Sequence, residues 1–377
     1  MKKTYQPKYP LSYCVRGINS FVKIAYDLDD ELIKFLKDIS PYKICVITDT
    51  NVANLYENAL KNALSTLNID QFWYRILPGE QHKTLTTVHS ILEKIWPYMT
   101  RDSLIIAFGG GVVGNIAGTV ASLIFRNCPF IHIPTTLMAQ ADSAIGIKQA
   151  VNGTYAKNAY GAYHTPLAVF NYIKFLDTLP NEQFRNGLAE SIKVAVARSP
   201  NFGLKLKNLL LKFPNFASKD IYYILEETIY PKLAGLTADP YEKNSLLFLE
   251  IGHTIGHAIE KASQFNIHHG AAIAIGMLIE AKIGIQLGIT NKDVYRHLTE
   301  LISTLSFPNK ISANVSIDDI LHYTQCDNRR ISSGPVYVLP IEMGKTHTLS
   351  GIDVNLIRDT LNEFKIDNSI ALISQVS

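Results

Sequence analysis

Ser103–Phe125 reads SLIIAFGGGVVGNIAGTVASLIF. An unbroken apolar run, Ser103–Phe108, enters three consecutive glycines, Gly109–Gly111, and leaves as a helix-like segment. Three adjacent glycines are hard to justify inside a packed element. They make sense where the backbone must turn sharply and approach a ligand closely. Gly109, Gly111 and Gly114 satisfy GxGxxG in the strand–loop–helix context that gives the pattern meaning. No GK[ST] follows, so this is not a Walker loop, and no acidic residue stands about twenty positions on, so the dinucleotide fingerprint is incomplete. A tight turn without a ligand is the competing reading.

Similar steps surround this one. Lys43–Thr48 (KICVIT) is a second short apolar run rich in β-branched residues, followed by Asp49 and a helix over 52–65. Asp49 at a strand's carboxyl end suits a ribose hydroxyl, although an N-cap on the next helix is the cheaper explanation. A helix is expected near Asp30–Lys37 and strands at Phe72–Leu77 and Phe130–Ile133. The polar turn Pro78–Lys83 leads into a helix with Val88, Ile91, Leu92 and Ile95 on one face. Strand–helix alternation of this kind predicts an α/β domain with a Rossmann-like parallel sheet. The loop-rich stretch 137–158 sets Asp142, Ser143, Lys148, Lys157 and Asn158 among small residues, a mixture suited to a phosphate or sugar. Standing alone, such lysines would be solvated surface.

From Asn181 onward helical periodicity dominates, which divides the chain near Pro180 into an α/β domain, 1–180, and a mostly helical domain, 181–377. Helices are expected over 183–197, 222–237, 245–262 and 271–287, with a hairpin at 336–339 and 346–350. Leu249–Gly270 reads LEIGHTIGHAIEKASQFNIHHG. His253 and His257 are four apart among Ile251, Ile255 and Ile259, so both imidazoles share one helix face. His268 and His269 arrive where the next helix begins. Two facing helices carrying His, with a carboxylate from elsewhere, make a three-ligand metal site with an open position. Two histidines packed in a polar seam are the alternative.

Composition narrows the rest. A chain of 377 residues is long enough for two cores, and a net charge of +3 requires neither nucleic acid nor a membrane surface. The four cysteines, Cys14, Cys45, Cys128 and Cys326, have no paired spacing, which favours reduced thiols. The N-terminal segment has no apolar stretch of signal type and no run is long enough to span a membrane, so a soluble cytoplasmic protein is expected.

In order along the chain stand GGGVVGNIAG, IHIPTTLMAQADSAIGIKQAVN, GLAESIK, GHTIGHAIE and HHG. Together these motifs, over roughly 40–345, resemble the sugar-phosphate cyclases, the group that contains dehydroquinate synthase. The resemblance implies an N-terminal NAD-binding domain, a C-terminal helical domain holding zinc or cobalt, an active site between them, a sugar-phosphate substrate and a homodimer. It implies Glu190, His253 and His269 as metal ligands, with His257 beside the substrate. For NAD it implies Asp49, Asn51, Glu80, Lys83, Gly110, Gly111, Val112, Thr135, Thr136, Asp142, Lys148, Lys157 and Thr178. For substrate it implies Arg126, Asp142, Lys148, Asn158, Lys193, Lys232, His257 and the run Asn328, Arg329, Arg330.

The departures from the family pattern carry the finer expectation. Where dehydroquinate synthases read R..LN.GHT, with Arg and Asn on the substrate carboxylate, this chain has Leu246 and Glu250. Leucine cannot replace a bidentate arginine, and a buried Glu repels a carboxylate. The FLEIGHTIGHAIE run and KQAVN, with Asn115 in place of Asp, resemble the branch that cyclises glucose 6-phosphate, and Glu250 then becomes a catalytic candidate. Ala271 stands where the family has the Glu of HGE, which removes a group that would orient His269 and counts against tight metal binding. The implied chemistry is transient oxidation by NAD, phosphate elimination, reduction, ring opening and an intramolecular aldol closure. Dehydroquinate synthase, an NAD-dependent metal alcohol or glycerol dehydrogenase, and a degenerate cyclase kept as a binding protein are the competing readings.

Overall fold

The computed structural model describes residues 6–15, 17–241, 247–327 and 330–366. They form two compact units, the first from residues up to 154, 158–187 and 216–241, the second from 155–157, 188–215 and 242 onward.

The first unit holds strands β1 (Ser12–Val15), β2 (Ile18–Ala25), β3 (Lys43–Asp49), β4 (Asp70–Ile76), β5 (Leu104–Gly109), β6 (Phe130–Pro134), β7 (Lys148–Val151), β8 (Tyr160–Tyr163) and β9 (Ala168–Tyr172). Among them run helices α1 (Asp30–Ile39), α2 (Thr50–Leu64), α3 (Leu85–Ile95) and α4 (Gly111–Leu123). Seven strands make one sheet in the order β1-β2-β9-β6-β5-β3-β4, parallel except for the β1–β2 pair, while β7 and β8 form a separate hairpin. Successive side chains of a strand point to opposite faces. Cys45, Ile47, Ile105 and Ala107 therefore pack with Val88, Ile91, Val113 and Ile116 on one side. Ile44, Val46, Leu104, Ile106 and Phe108 pack with Leu32, Leu36, Leu60 and Leu64 on the other. Burial on both faces explains why these strands read as continuous apolar runs instead of alternating ones.

From β3 the chain moves to β4 on one side, then crosses back to β5 and builds outward through β6. The order reverses between β3 and β5, and an open parallel sheet binds ligands at the carboxyl ends of its strands beside such a reversal. Asp49, Gly109 and Pro134 end the three neighbouring strands there.

Behind the glycine loop, His132 on β6 is buried against Phe130, with its Nε2 lacking a hydrogen-bond partner. Burial, reinforced by His164, pushes its pKa down to about 3. The folded imidazole thus stays neutral where the unfolded one takes a proton. Its contribution is intact above the ordinary His value and is lost as pH falls toward 3. By pH 4.5 the penalty amounts to about 2–3 kcal/mol. Urea titrations at pH 7 and pH 4.5 are expected to show a smaller pH-dependent loss for His132→Gln than for the parent. Equal losses would remove His132 as a source of acid sensitivity.

Beyond β9 come α5 (Asn181–Ala197), α6 (Pro200–Leu210), α7 (Ser218–Ala238), α8 (His253–Ala262), α9 (His269–Gln286), α10 (Lys292–Thr304), α11 (Ile317–Gln325) and α12 (Val354–Glu363). A hairpin, β10 (Val336–Glu342) with β11 (Lys345–Ser350), completes the second unit. Helix α7 belongs to the first unit, as do residues 181–187 of α5. No described helix is long and apolar enough to cross a membrane.

The helix expected over 245–262 is not continuous. A 3-10 turn, Leu247–Glu250, precedes Gly252 at φ 77°, and α8 begins only at His253. A Cβ at Gly252 would stand 2.5 Å from Met277 Cγ, so this position needs glycine for room as well as for its left-handed backbone. Glu280 of α9, fully buried, accepts from the amides of Gly252 at 2.6 Å and Ile255 at 3.4 Å. The carboxyl group of a residue 28 positions away in sequence, pushed up to about 8 by burial, thus satisfies the open first turn of α8.

Candidate metal centre and cofactor loop

Three elements of the second unit converge. Helix α5 brings Glu190 and Lys193, α8 brings His253 and His257, and the first residue of α9 is His269. Glycines let α8 and α9 approach closely, since a Cβ at Gly276 would lie 2.1 Å from the Gly252 carbonyl oxygen. The rings of His253, His257 and His269 have centroids 5.2–5.6 Å apart, and each offers a nitrogen within 4.8 Å of the others. Glu190 Oε1 stands 3.8 Å from His253 Nε2 and 3.4 Å from His269 Nε2.

The donor chemistry fits a divalent cation. His253 Nδ1 lies 3.1 Å from the Ile251 carbonyl and His269 Nδ1 lies 2.8 Å from Glu260 Oε2. Both partners only accept, so each Nδ1 carries a hydrogen, and each Nε2 faces Glu190 and is free to bind a cation once it carries no proton. Glu190 Oε1, completely buried, has no hydrogen-bond partner. A positive charge has to sit among these donors: a proton on His269 Nε2 supplies it in the metal-free chain, and a divalent cation would take that proton's place.

The electrostatics agree. Burial opposes ionisation of Glu190, yet Lys193, in ion-pair contact with its Oε2, together with His269 and His253 holds the carboxyl well below the usual range. Burial also opposes charge on His269, but Glu260 and Glu190 push it up to about 9, so this position favours positive charge. His253 is lowered by burial and by Lys193. Burial lowers His257 too, opposed by Asp327, whose Oδ2 lies 3.9 Å from Nδ1. Two donor sets overlap here, Glu190–His253–His269 and His253–His257–His269.

In the first unit the residues expected on NAD lie on loops at the carboxyl ends of the strands. None of Gly109, Gly110 and Gly111 has positive φ. What they supply is space. Added Cβ atoms would stand 2.6 Å from Val113 at position 109, 3.0 Å from Thr136 at 110 and 2.9 Å from Ser143 Oγ at 111. Helix α4 starts with Gly110 at its N-cap and no capping side chain, so the amides of its first turn face outward beside Val112. Ser143 Oγ is buried without a partner. An uncapped helix start beside an unpartnered hydroxyl suits a dinucleotide's pyrophosphate. Thr135 donates its amide to the Gly109 carbonyl, tying two loops together. Asp49 caps α2, accepting from Asn51 N at 2.8 Å and Val52 N at 3.0 Å, as its cheaper reading expected. Thr178 Oγ1 meets the Tyr56 hydroxyl.

Lys83 is buried and donates to Asn158 Oδ1. Asn158 takes a left-handed φ of 51° and donates its amide to Asn152 Oδ1, while Asn152 Nδ2 donates to Glu80 Oε1 at 2.9 Å. Asn152, the last residue of the IHIPTTLMAQADSAIGIKQAVN motif but given no role there, thus joins Glu80 to Asn158. Lys232 on α7 donates to the carbonyl and Oδ1 of Asp142 at 3.0 and 2.9 Å.

Other expected contacts fall elsewhere. Lys157 has its Nζ on Glu260 Oε1 at 2.6 Å, behind the histidine cluster. Arg126 is exposed beyond the C-terminus of α4, and Lys148 is exposed at the start of β7. Arg330 donates to the Cys326 and Asp327 carbonyls just beyond α11. Leu246, Asn328 and Arg329 lie outside the described residues. Glu260 was missed by sequence reasoning, although HTIGHAIE places it at the helical spacing that shares a face with His253 and His257.

Models described as the N-terminal and C-terminal parts of 3-dehydroquinate synthase match residues 73–186 and 187–330. The chain belongs to the 3-dehydroquinate synthase family of sugar-phosphate cyclases. It is 34% identical over 309 residues to the 2-deoxy-scyllo-inosose synthase of Streptomyces lividus, covering 82% of this chain and 80% of that one. It is also 34% identical over 332 residues to the 3-dehydroquinate synthase of Thermoanaerobacter sp. (strain X514), covering 87% and 93%. A crystal structure of 2-deoxy-scyllo-inosose synthase complexed with carbaglucose-6-phosphate, NAD+ and Co2+ matches with TM-score 0.86 at 28% identity, covering 94% and 100%.

Proposed function

We propose that this chain is a glucose 6-phosphate cyclase of the 2-deoxy-scyllo-inosose synthase type, working as a cytoplasmic homodimer with NAD and zinc or cobalt. Glu250 carries the choice of substrate. It ends the 3-10 turn two residues before Gly252 and is half-buried, where the dehydroquinate synthase pattern has an Asn for the substrate carboxylate. Glucose 6-phosphate has no carboxylate, so an acidic acceptor there can take a hydrogen bond from a sugar hydroxyl. The similarity to the Streptomyces enzyme supports this reading, and the equal identity to a dehydroquinate synthase makes that enzyme the second one.

The overall conversion yields the carbocycle and inorganic phosphate with no net redox change. NAD bound at Gly110–Val112, with Asp49, Glu80, Lys83, Thr135, Thr136 and Thr178 around it, would supply reversible hydride acceptance. A divalent metal on Glu190, His253 and His269 would supply Lewis-acid polarisation of a substrate hydroxyl. Lys232, oriented by Asp142, and Asn158 bind the phosphate and stabilise its departing charge. Lys193 holds Glu190 ionised. His257, kept neutral by burial and steered by Asp327, can take or return a proton at its ring nitrogen.

Incubation with glucose 6-phosphate and NAD is expected to release phosphate and form the carbocycle with no net change in reduced-nicotinamide absorbance. A dehydrogenase would accumulate the reduced cofactor. The heptulosonate phosphate used by dehydroquinate synthase should give essentially no turnover. Glu250→Gln should lower turnover of glucose 6-phosphate by about one to two orders of magnitude, the effect of one charge-assisted hydrogen bond. Faster conversion of the heptulosonate would replace this assignment with dehydroquinate synthase.

A further inference from the structure

Glu260 is buried and directs its two oxygens at opposite charges. Oε2 accepts from His269 Nδ1 at 2.8 Å, and Oε1 accepts from Lys157 Nζ at 2.6 Å. The Lys157 side chain is itself only 11% exposed. The row Lys157, Glu260, His269, Glu190, Lys193 therefore alternates basic and acidic groups through the protein interior. Its acid on His269 comes from α8, the helix that carries His253, and not from position 271 on the helix of His269 itself.

We propose that Glu260 is the positioning residue of the metal centre. Its carboxylate fixes the Nδ1–H tautomer of His269 and raises the basicity of Nε2, the task left open by Ala271. Lys157 serves as the counter-ion that allows a second carboxylate to be buried beside Glu190. A metal-bound imidazole whose other nitrogen donates to a carboxylate is a stronger ligand, and loss of such a partner typically costs about 10–100-fold in metal affinity. Because the bond crosses from α8 to α9, it also sets the separation of two ligand histidines. The inference rests on the Glu190–His253–His269 reading.

The full chain, stripped of metal and titrated with Co2+ against a chromophoric chelator, provides the test. Glutamine at 260 keeps an acceptor and the cross-helix hydrogen bond but drops the charge, so a purely structural tie would survive it. Glu260→Gln is expected to weaken Co2+ binding by about 10–100-fold and to shift the visible d–d bands at saturating Co2+, with the far-ultraviolet circular dichroism of the parent. Affinity within twofold of the parent together with unchanged bands would overturn the proposal. Glu190→Gln and His269→Ala run alongside. If those two bind Co2+ as the parent does, the ligand set itself is wrong. If they lose the metal while Glu260→Gln keeps it, only the role of Glu260 fails. Should Glu260→Gln not fold, Glu260→Asp retains the charge opposite Lys157 with a shorter reach. Several-fold weaker Co2+ binding is expected of it, and parent-like binding overturns the proposal.

Discussion

His253→Ala, His269→Ala and Glu190→Gln are each expected to lose bound metal and turnover together, with turnover down by about three orders of magnitude or more, roughly 4 kcal/mol of barrier. Each substitution leaves a buried cluster with too few donors for a divalent ion that takes three protein ligands. His257→Ala should behave differently, retaining its metal while losing turnover. The two histidines of α8 are oriented by different groups. His253 has its Nδ1 on the Ile251 carbonyl and its Nε2 toward Glu190, whereas the Nδ1 of His257 faces Asp327. Elemental analysis of the purified variants separates the overlapping donor sets. If His257→Ala is as metal-free as His253→Ala, the three histidines are the ligands and Glu190 has another task, with Lys193 as its partner.

Gly110→Val is the second large effect. NAD affinity should fall by about two orders of magnitude, near 3 kcal/mol, while circular dichroism reports an intact fold. A single added Cβ would already stand 3.0 Å from Thr136 Cγ2, and valine adds two methyl groups to that crowding at the N-cap of α4. Position 109 is the wrong place for this test, because a Cβ there meets Val113 of the core and would confound binding with packing. Isothermal titration with NAD is the measurement. Unchanged affinity in a folded variant would reduce the glycine loop to a plain turn.

Local patterns determined a large part of this protein. Doubly buried strands must be apolar along their whole length, so KICVIT and SLIIAF declared themselves, and helices that bury one stripe announced theirs through i, i+3 and i+4 spacing. The spacing of His253 and His257 likewise decided that both rings share a face, because a helical turn is set by backbone geometry alone. The β7–β8 hairpin left no such trace. Tyr160–Tyr163 are all exposed, so no alternation of burial could mark the strand.

Other features depend on partners distant in the chain. LFLEIGHTIGHAIE reads as one unbroken helix, and the break at Gly252 exists because Glu280 on the neighbouring helix satisfies the amides that the break exposes. Ala271 looked like a missing support for His269, but the supporting carboxylate is Glu260, delivered across the α8–α9 contact. Lys157 could be read from its loop only as a cation for some anion, and that anion in the structure is Glu260. Helix α7 has the periodicity of its helical neighbours, yet its contacts place it with the parallel sheet of the first unit. Periodicity reports which face of an element is buried, and only packing decides what that face meets.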